Sequence, residues 1–468
     1  MISKEKIDNK FLNLFVGTSV LSFLALWSKK FFFFDFSFLI LLFSPFLAYQ
    51  IYFDIKKKNF DKIIFITFSF SFFLAHLFLV LKDINSLKDT YYIISVTVFF
   101  YLFLIAVYFK EEILKSKFIL SNLFFSIFIV SSIIGIVNYA PDNPRFCGGL
   151  KNFFFNANAI IDIGPEYFFS GPTTEEDIVK DSGGLINLSF KEYLFIENSH
   201  LGMIGLGFII FFIYYISNNN LNIYHKVIFI LFLTFCFIKS SATLLLGIIL
   251  STIILLVFEI RRLNKKTLRN FIILLSISSL IFISDKECIN KFNNFNEFFK
   301  NQTNINSEMS INKENAKAKE NRVVGIYDIK SNLSSKLLVQ KTKITFNSII
   351  QKPFGWGFQK YSEAHYQILE VNFENSSELN YELNNKDGMN NFNKIIVEFG
   401  IFGILFYFII LAYLLSKKIP LEEKFFLLPF IITQSIRGAG YFNGGFILIV
   451  FLILASYKQS LKLKKINQ

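Results

Sequence analysis

Only three cysteines, four histidines, two tryptophans and six arginines occur in this 468-residue chain. The cysteines, Cys147, Cys236 and Cys288, show no metal-ligand spacing, so a zinc-built fold has no support. Phosphate-binding loops, zinc-protease signatures and a Gly-x-Ser-x-Gly elbow are also missing, which leaves ATP-driven transport and serine hydrolysis without a local motif. Alternating apolar and polar strands are absent, so an outer-membrane barrel is not expected.

Apolar residues are abundant. They make up 53% of the chain, 64 of them are phenylalanine, and the mean hydropathy is +0.47. Long apolar runs recur, each about long enough to cross a hydrocarbon core of ~30 Å. The expected fold is an all-α polytopic membrane protein with twelve spans, at 11–28, 31–53, 63–81, 91–109, 118–140, 200–216, 227–240, 242–258, 270–284, 393–416, 425–437 and 443–457. With the N-terminus inside, the inner segments hold 23 Lys and Arg, against 6 in the short outer connections. By the positive-inside rule both termini are cytoplasmic. The net charge of +13 then reports topology, and no nucleic-acid partner is needed to explain it. The first span follows Lys4, Lys6 and Lys10 without a small-residue cleavage site and reads as an uncleaved anchor. Cys147 and Cys288 both fall on the outer side, a compartment that permits a disulfide between them.

Five regions follow: spans one to five (1–140), a first outer loop (141–199), spans six to nine (200–284), a large outer loop (285–392), and the last three spans with a cytoplasmic tail (393–468). Outer loops of this length are functional or disordered. Within the larger one, 301–321 is a polar Asn/Lys/Glu tract, 322–360 carries a balance of +6, and 361–382 holds five Glu with no Lys or Arg. In "SSKLLVQKTKITFNSIIQ", Leu337, Leu338, Ile344 and Ile349 recur at helical spacing, with Lys336, Gln340 and Lys343 on another face. The stretch is either a surface helix with a solvated cationic face or a lid whose cations approach an anion. "QKPFGWGF", 351–358, closes it with a proline and two glycines.

Four local motifs accompany that topology: "IENSHLGMIGLG" (196–207), "KSSATLLLGIIL" (239–250), "KPFGWGFQKY" (352–361) and "NNFNKIIVEFGIFG" (390–403). Together, and in this order, they resemble the O-antigen polymerase and O-antigen ligase superfamily over most of the chain after residue 118. The resemblance implies a C-type integral-membrane glycosyltransferase fold in the bacterial inner membrane, with its active site facing the periplasm. It implies transfer of a glycan from undecaprenyl diphosphate to another lipid-linked unit, with no cofactor and no essential metal, beside a chain-length regulator and a flippase. Ligases of that superfamily carry His, then Asn, Ser or Gln, nine residues, and Gly-x-x-Gly. Here Asn390, Gly400 and Gly403 match while Met389 stands at the histidine position, which favours the polymerase branch. The alternatives are a ligase using a lipid acceptor and a lipid-linked oligosaccharide flippase or other transporter.

Breaking a sugar–diphosphate bond calls for offsetting charge on the leaving group and for holding the acceptor hydroxyl. Arginine suits the first task because its planar fork pairs bidentately with phosphate. Arg261, Arg262 and Arg269 lie in a cytoplasmic segment, whereas Arg145, Arg322 and Arg437 lie outside. Arg437, in "SIRGAGYFNGG", is either an interfacial anchor or a diphosphate clamp, and Arg322 is the second catalytic candidate. His200, at the polar entry to the sixth span, is the favoured base and His365 the second. His76 and His225 read as packing and loop residues. Arg145, Lys239, Lys336, Lys343, His365 and Glu398 complete the candidate substrate-binding set, with a buried ion pair as the plain alternative for Lys239 and Glu398. Reporter fusions after residues 150 and 350 are expected to give an outer-side signal and one after 420 a cytoplasmic signal. A cytoplasmic signal at 350 would place the large loop on the wrong face for this chemistry.

Overall fold

The computed structural model describes residues 15–17, 19–21, 30–31, 34–58, 67, 70–71, 87–138, 198–238, 242–284, 333–372, 384–438 and 440–466. Within them, apart from a two-residue antiparallel ladder pairing Lys30–Phe31 with Phe34–Asp35, every regular element is helical. The α-helices are α1 (Ser44–Lys56), α2 (Leu87–Lys115), α3 (Lys117–Asn138), α4 (Asn198–Asn218), α5 (Ile223–Ile238), α6 (Ala242–Glu259) and α7 (Lys265–Ser284). They continue as α8 (Leu333–Gln351), α9 (Tyr361–Asn372), α10 (Asn391–Phe399), α11 (Ile401–Leu415), α12 (Leu421–Ile436) and α13 (Phe446–Ile466).

Among the described residues, four helices are long and apolar enough to cross a membrane: Ile93–Lys115, Leu201–Asn218, Ala242–Arg262 and Lys265–Ser284. Lys117–Val130, Ile223–Phe237, Ile401–Leu415 and Phe446–Ser456 are shorter apolar helices. A helix that is apolar all round needs lipid or protein on every side, and the chain is a helical membrane protein. The expected spans 11–28 and 63–81 lie mostly outside the described residues, as do Cys147 and Cys288, whereas Cys236 is buried and in no disulfide.

At the centre stands α4, buried without interruption from Leu201 to Ile213 and packed against α6 and α12. Small residues set how closely these helices approach. A Cβ on Gly207 would run into the Phe430 ring, and one on Gly247 would lie 2.8 Å from Thr433 Cγ2. Phenylalanine fills the other side of α4: Phe124 meets Phe208 at 4.8 Å between centroids, and Phe125 meets Phe212 at 5.0 Å and Phe232 at 4.3 Å. Three helices thus interlock through rings, which explains much of the phenylalanine excess.

Charge is concentrated at both ends of α12. At its start, Pro420 precedes the first turn, and Glu422 and Glu423 favour the N-terminal dipole. Lys117 pairs with Glu422 at 3.2 Å. Lys424, fully buried, is ion-paired to Glu259, which also takes Arg262 at 2.9 Å. The end of α12 is the polar hairpin containing Arg437. Sixteen residues separate the ends, about 24 Å at 1.5 Å per residue.

Two expectations need correcting. The span placed at 393–416 is two helices, α10 and α11, broken at Gly400 (φ 58°, ψ −134°). In α8 the inward face is Leu337, Gln340, Lys341, Ile344 and Ser348, so Gln340 is not on a solvated cationic face. The periodicity was read from hydrophobicity alone, whereas α8 turns polar groups inward against α9 and α10.

Removing Glu259 strands a buried ammonium, while removing Lys424 leaves Glu259 its Arg262 partner. Glu259→Ala is therefore expected to cost about 3–5 kcal/mol, and Lys424→Ala clearly less, measured by unfolding in detergent. Equal losses would show that Arg262 does not hold the carboxylate.

Candidate functional site at the break between two helices

The chain enters α10 through Asn390, whose side-chain oxygen accepts from the Asn393 amide at 2.7 Å, an N-cap. After nine helical residues, Gly400 takes a left-handed φ and the ladder stops. The carbonyls of Val397 and Glu398 then lack helical donors, and a buried carbonyl needs one. The turn after α8 supplies them. Trp356 N donates to Val397 O at 3.0 Å and Gly357 N to Glu398 O at 2.9 Å, while Ile401 N donates back to Pro353 O at 2.9 Å. Only glycine fits at two of these points. A Cβ on Gly400 would fall on the Pro353 carbonyl, and one on Gly355 (φ 91°) on the Glu398 carbonyl. "KPFGWGF" and "VEFG" are thus one structural unit.

Inside α10, Lys394 and Glu398 face each other one turn apart, with Nζ 2.7 Å from Oε1 and almost no exposure. Glu398 Oε2 accepts from Tyr441 Oη at 2.6 Å, and Lys394 Nζ donates to the Lys386 carbonyl at 2.7 Å and lies 5.0 Å from the Tyr441 ring centre. Tyr441 stacks on Phe358 of the same turn at 5.6 Å. Burial, followed by the Glu398 charge, pushes the Tyr441 hydroxyl well above its ordinary pKa, so it remains a donor. Burial first, then Asp387 and Glu398, raise Tyr361 likewise. The Tyr361 hydroxyl and Asn391 Oδ1 are buried with no hydrogen-bond partner among the described residues.

Arg437 follows α12 in extended conformation (φ −142°, ψ 118°), its side chain half-buried. Gly438 N donates to Met389 O at 3.0 Å, and a Cβ on Gly438 would lie 2.7 Å from Asn391 N. Asn391 Nδ2 donates to Gln434 Oε1 at 2.8 Å, and Gln434 Nε2 to Gly444 O at 3.2 Å. The Arg437 segment is therefore held on one side by the start of α10 and on the other by Tyr441 on Glu398. Met389, buried and at φ 65°, contributes its carbonyl here.

Of the predicted site residues, Arg437 and Glu398 come to this junction. His365 is buried on α9 beside the Tyr361 and Tyr366 rings, its Nδ1 3.1 Å from Lys341 Nζ. Lys343 sits half-buried on α8, and burial lowers its ammonium pKa. Arg145, Arg322 and Lys239 lie outside the described residues, as do the side chains of His200, in the first turn of α4, and Lys336, on α8. Lys394, Tyr441 and Lys341 were not foreseen. The first could have been, since Lys394 and Glu398 stand four apart in an apolar stretch, a pairing distance on a helix. Tyr441 carries no such sign. Among the described residues no group of three or more His, Cys, Asp or Glu side chains could hold a metal ion.

These features define a helical membrane protein in which a charged, largely dry junction joins three segments distant in sequence. No family model, curated protein or solved structure matches the chain.

Tyr441→Phe leaves Glu398 Oε2 without its donor and is expected to cost about 1.5–3 kcal/mol, the range for hydrogen bonds to charged groups. Gly400→Ala should cost more and expose 352–358 to protease, because it displaces Pro353. A Gly400→Ala protein as stable and protease-resistant as the parent would show that the staple is dispensable.

Proposed function

We propose that this protein is a polysaccharide repeat-unit polymerase of the bacterial inner membrane, with twelve spans, cytoplasmic termini and its large loop in the periplasm. It transfers a growing glycan from undecaprenyl diphosphate to the acceptor sugar of another lipid-linked unit. The observation that supports this most is the junction: the Pro-x-Gly-x-Gly turn at 353–357, the helix α10 and the Arg437 hairpin meet through backbone hydrogen bonds. Those are three of the places where such an enzyme needs its loop, its membrane entry and its cation brought together.

In this reading the acceptor hydroxyl attacks the anomeric carbon, the carbon–oxygen bond to diphosphate breaks, and the hydroxyl proton passes to a base, for which His200 is the candidate. Arg437, with Arg322 as second cation, takes up charge on the departing diphosphate. Arg145, Lys239, Lys336, Lys343 and His365 are the candidates for binding donor and acceptor. Glu398 has a different task from a free carboxylate: paired with Lys394 and Tyr441, it positions the Arg437 segment. The ligase reading is disfavoured because Met389, whose thioether cannot act as a base, stands where a ligase would carry its histidine.

Purified protein extending lipid-linked repeat units in vitro tests the reading. Arg437→Ala should lower the rate by about 10²–10³, roughly 3–4 kcal/mol for a lost donor to an anionic centre, and Arg437→Lys nearly as much, since it keeps charge but loses the fork. Near-parental extension by Arg437→Lys makes it an interfacial anchor. In a deletion strain, single capped units indicate lost polymerisation. Full chains left on undecaprenyl diphosphate indicate lost ligation and refute the polymerase.

A further inference from the structure

Helix α8 buries polar side chains beside Leu337 and Ile344 and turns apolar ones outward in its second half. Its inward face buries Lys341 and Gln340, while Phe346 and Ile350, four apart and so on one side of the helix, are 65% and 77% exposed. Phe354, in the turn that follows, is 72% exposed. A helix bathed in water places its lysines out and its phenylalanines in. The reverse arrangement calls for an apolar neighbour on the outside.

The same structure indicates what that neighbour is. Phe354 stacks on Phe402 at 5.9 Å between centroids, and Phe402 opens an exposed apolar stripe on α11 that continues through Leu405, Phe408 and Ile409. These positions follow helical spacing on an almost wholly apolar helix, so the stripe is a lipid-facing side. Phe354 therefore extends the lipid-facing side of α11 beyond its end, and Phe346 and Ile350 are exposed on the helix that leads into the same turn. Lys352, exposed beside it, holds its ammonium 3.7 Å from the Trp356 ring centre. Aromatic and lysine side chains together mark the level of lipid headgroups.

We infer that α8 is an interfacial helix: its Phe346–Ile350–Phe354 edge is immersed in the membrane boundary at the α10–α11 break, with Lys352 among the lipid phosphates. Interfacial helices sink their apolar face about 5–10 Å into the headgroup and acyl boundary. The occupant of this surface is the lipid bilayer. The inference rests on the membrane class of the fold and stands apart from the polymerase reading, since a transporter would use the surface identically.

Trp27 and Trp356 are the two tryptophans of the chain, so Trp27→Phe with Trp356→Phe clears the fluorescence background. Phe354→Trp or Phe346→Trp then supplies a single reporter, and either serves if the other fails to fold. In phosphatidylcholine proteoliposomes both reporters should be quenched by lipid brominated near the headgroup, less by lipid brominated near the chain ends, and little by aqueous iodide. Adding Ile350→Glu should weaken the lipid quenching and increase that by iodide. Quenching by iodide alone would mean the strip faces water. Quenching by neither would mean protein covers it, a second copy included. Either result overturns the proposal.

Discussion

The two carbonyls stranded at Gly400 are the constraint from which the junction of α10, α11 and the 352–358 turn follows. A helix that ends in a low-dielectric setting must find donors for its last oxygens, and water is scarce there. The turn at 352–358 answers with the amides of Trp356 and Gly357, and takes one in return from Ile401. Phe358 can stack on Tyr441 only because the turn is seated, and Tyr441 reaches Glu398 from the same side. The turn at 352–358 is thus attached to α10 and α11 through main-chain groups, which tolerate side-chain change except at the glycines.

Electrostatics divides the molecule along α12. One end has the Glu259–Lys424–Arg262 cluster and the Lys117–Glu422 pair, and the other has Lys394–Glu398 with Tyr441. Between them lies the phenylalanine-rich packing of α3, α4 and α5 and the close approach of α4, α6 and α12. Buried charge is tolerable in such a place only when partners are close, and each cluster supplies its own.

What the sequence made legible was set by local pattern. Long apolar runs announced α2, α4, α6 and α7, and the loop-exit motif announced α10. Gly400 was noticed as half of a Gly-x-x-Gly spacing, but the break it makes depends on Pro353, nearly fifty residues earlier, and long-range hydrogen bonds leave no periodic trace. Glu398 was suspected because a carboxylate in an apolar run is costly. Its pairing with Lys394 was visible at a spacing of four, whereas Tyr441 was hidden by distance in sequence. The face of α8 was misjudged because hydrophobicity counts cannot tell whether a helix turns its apolar edge to protein or to lipid. Lys341, fully buried, settles the matter only once α9 and α10 are in place.

The nine residues of α10 run between two points that cannot move independently. At one end Met389 and Asn391 are tied to the α12 hairpin, and at the other Val397 and Glu398 are tied to the turn. Each residue of a helix advances about 100° around its axis. One residue gained or lost between these points would turn Glu398 away from Tyr441 and the stranded carbonyls away from their donors at once. Sequence here can drift in identity but not in count, whereas α11, held chiefly by apolar packing, has no such ruler along its length.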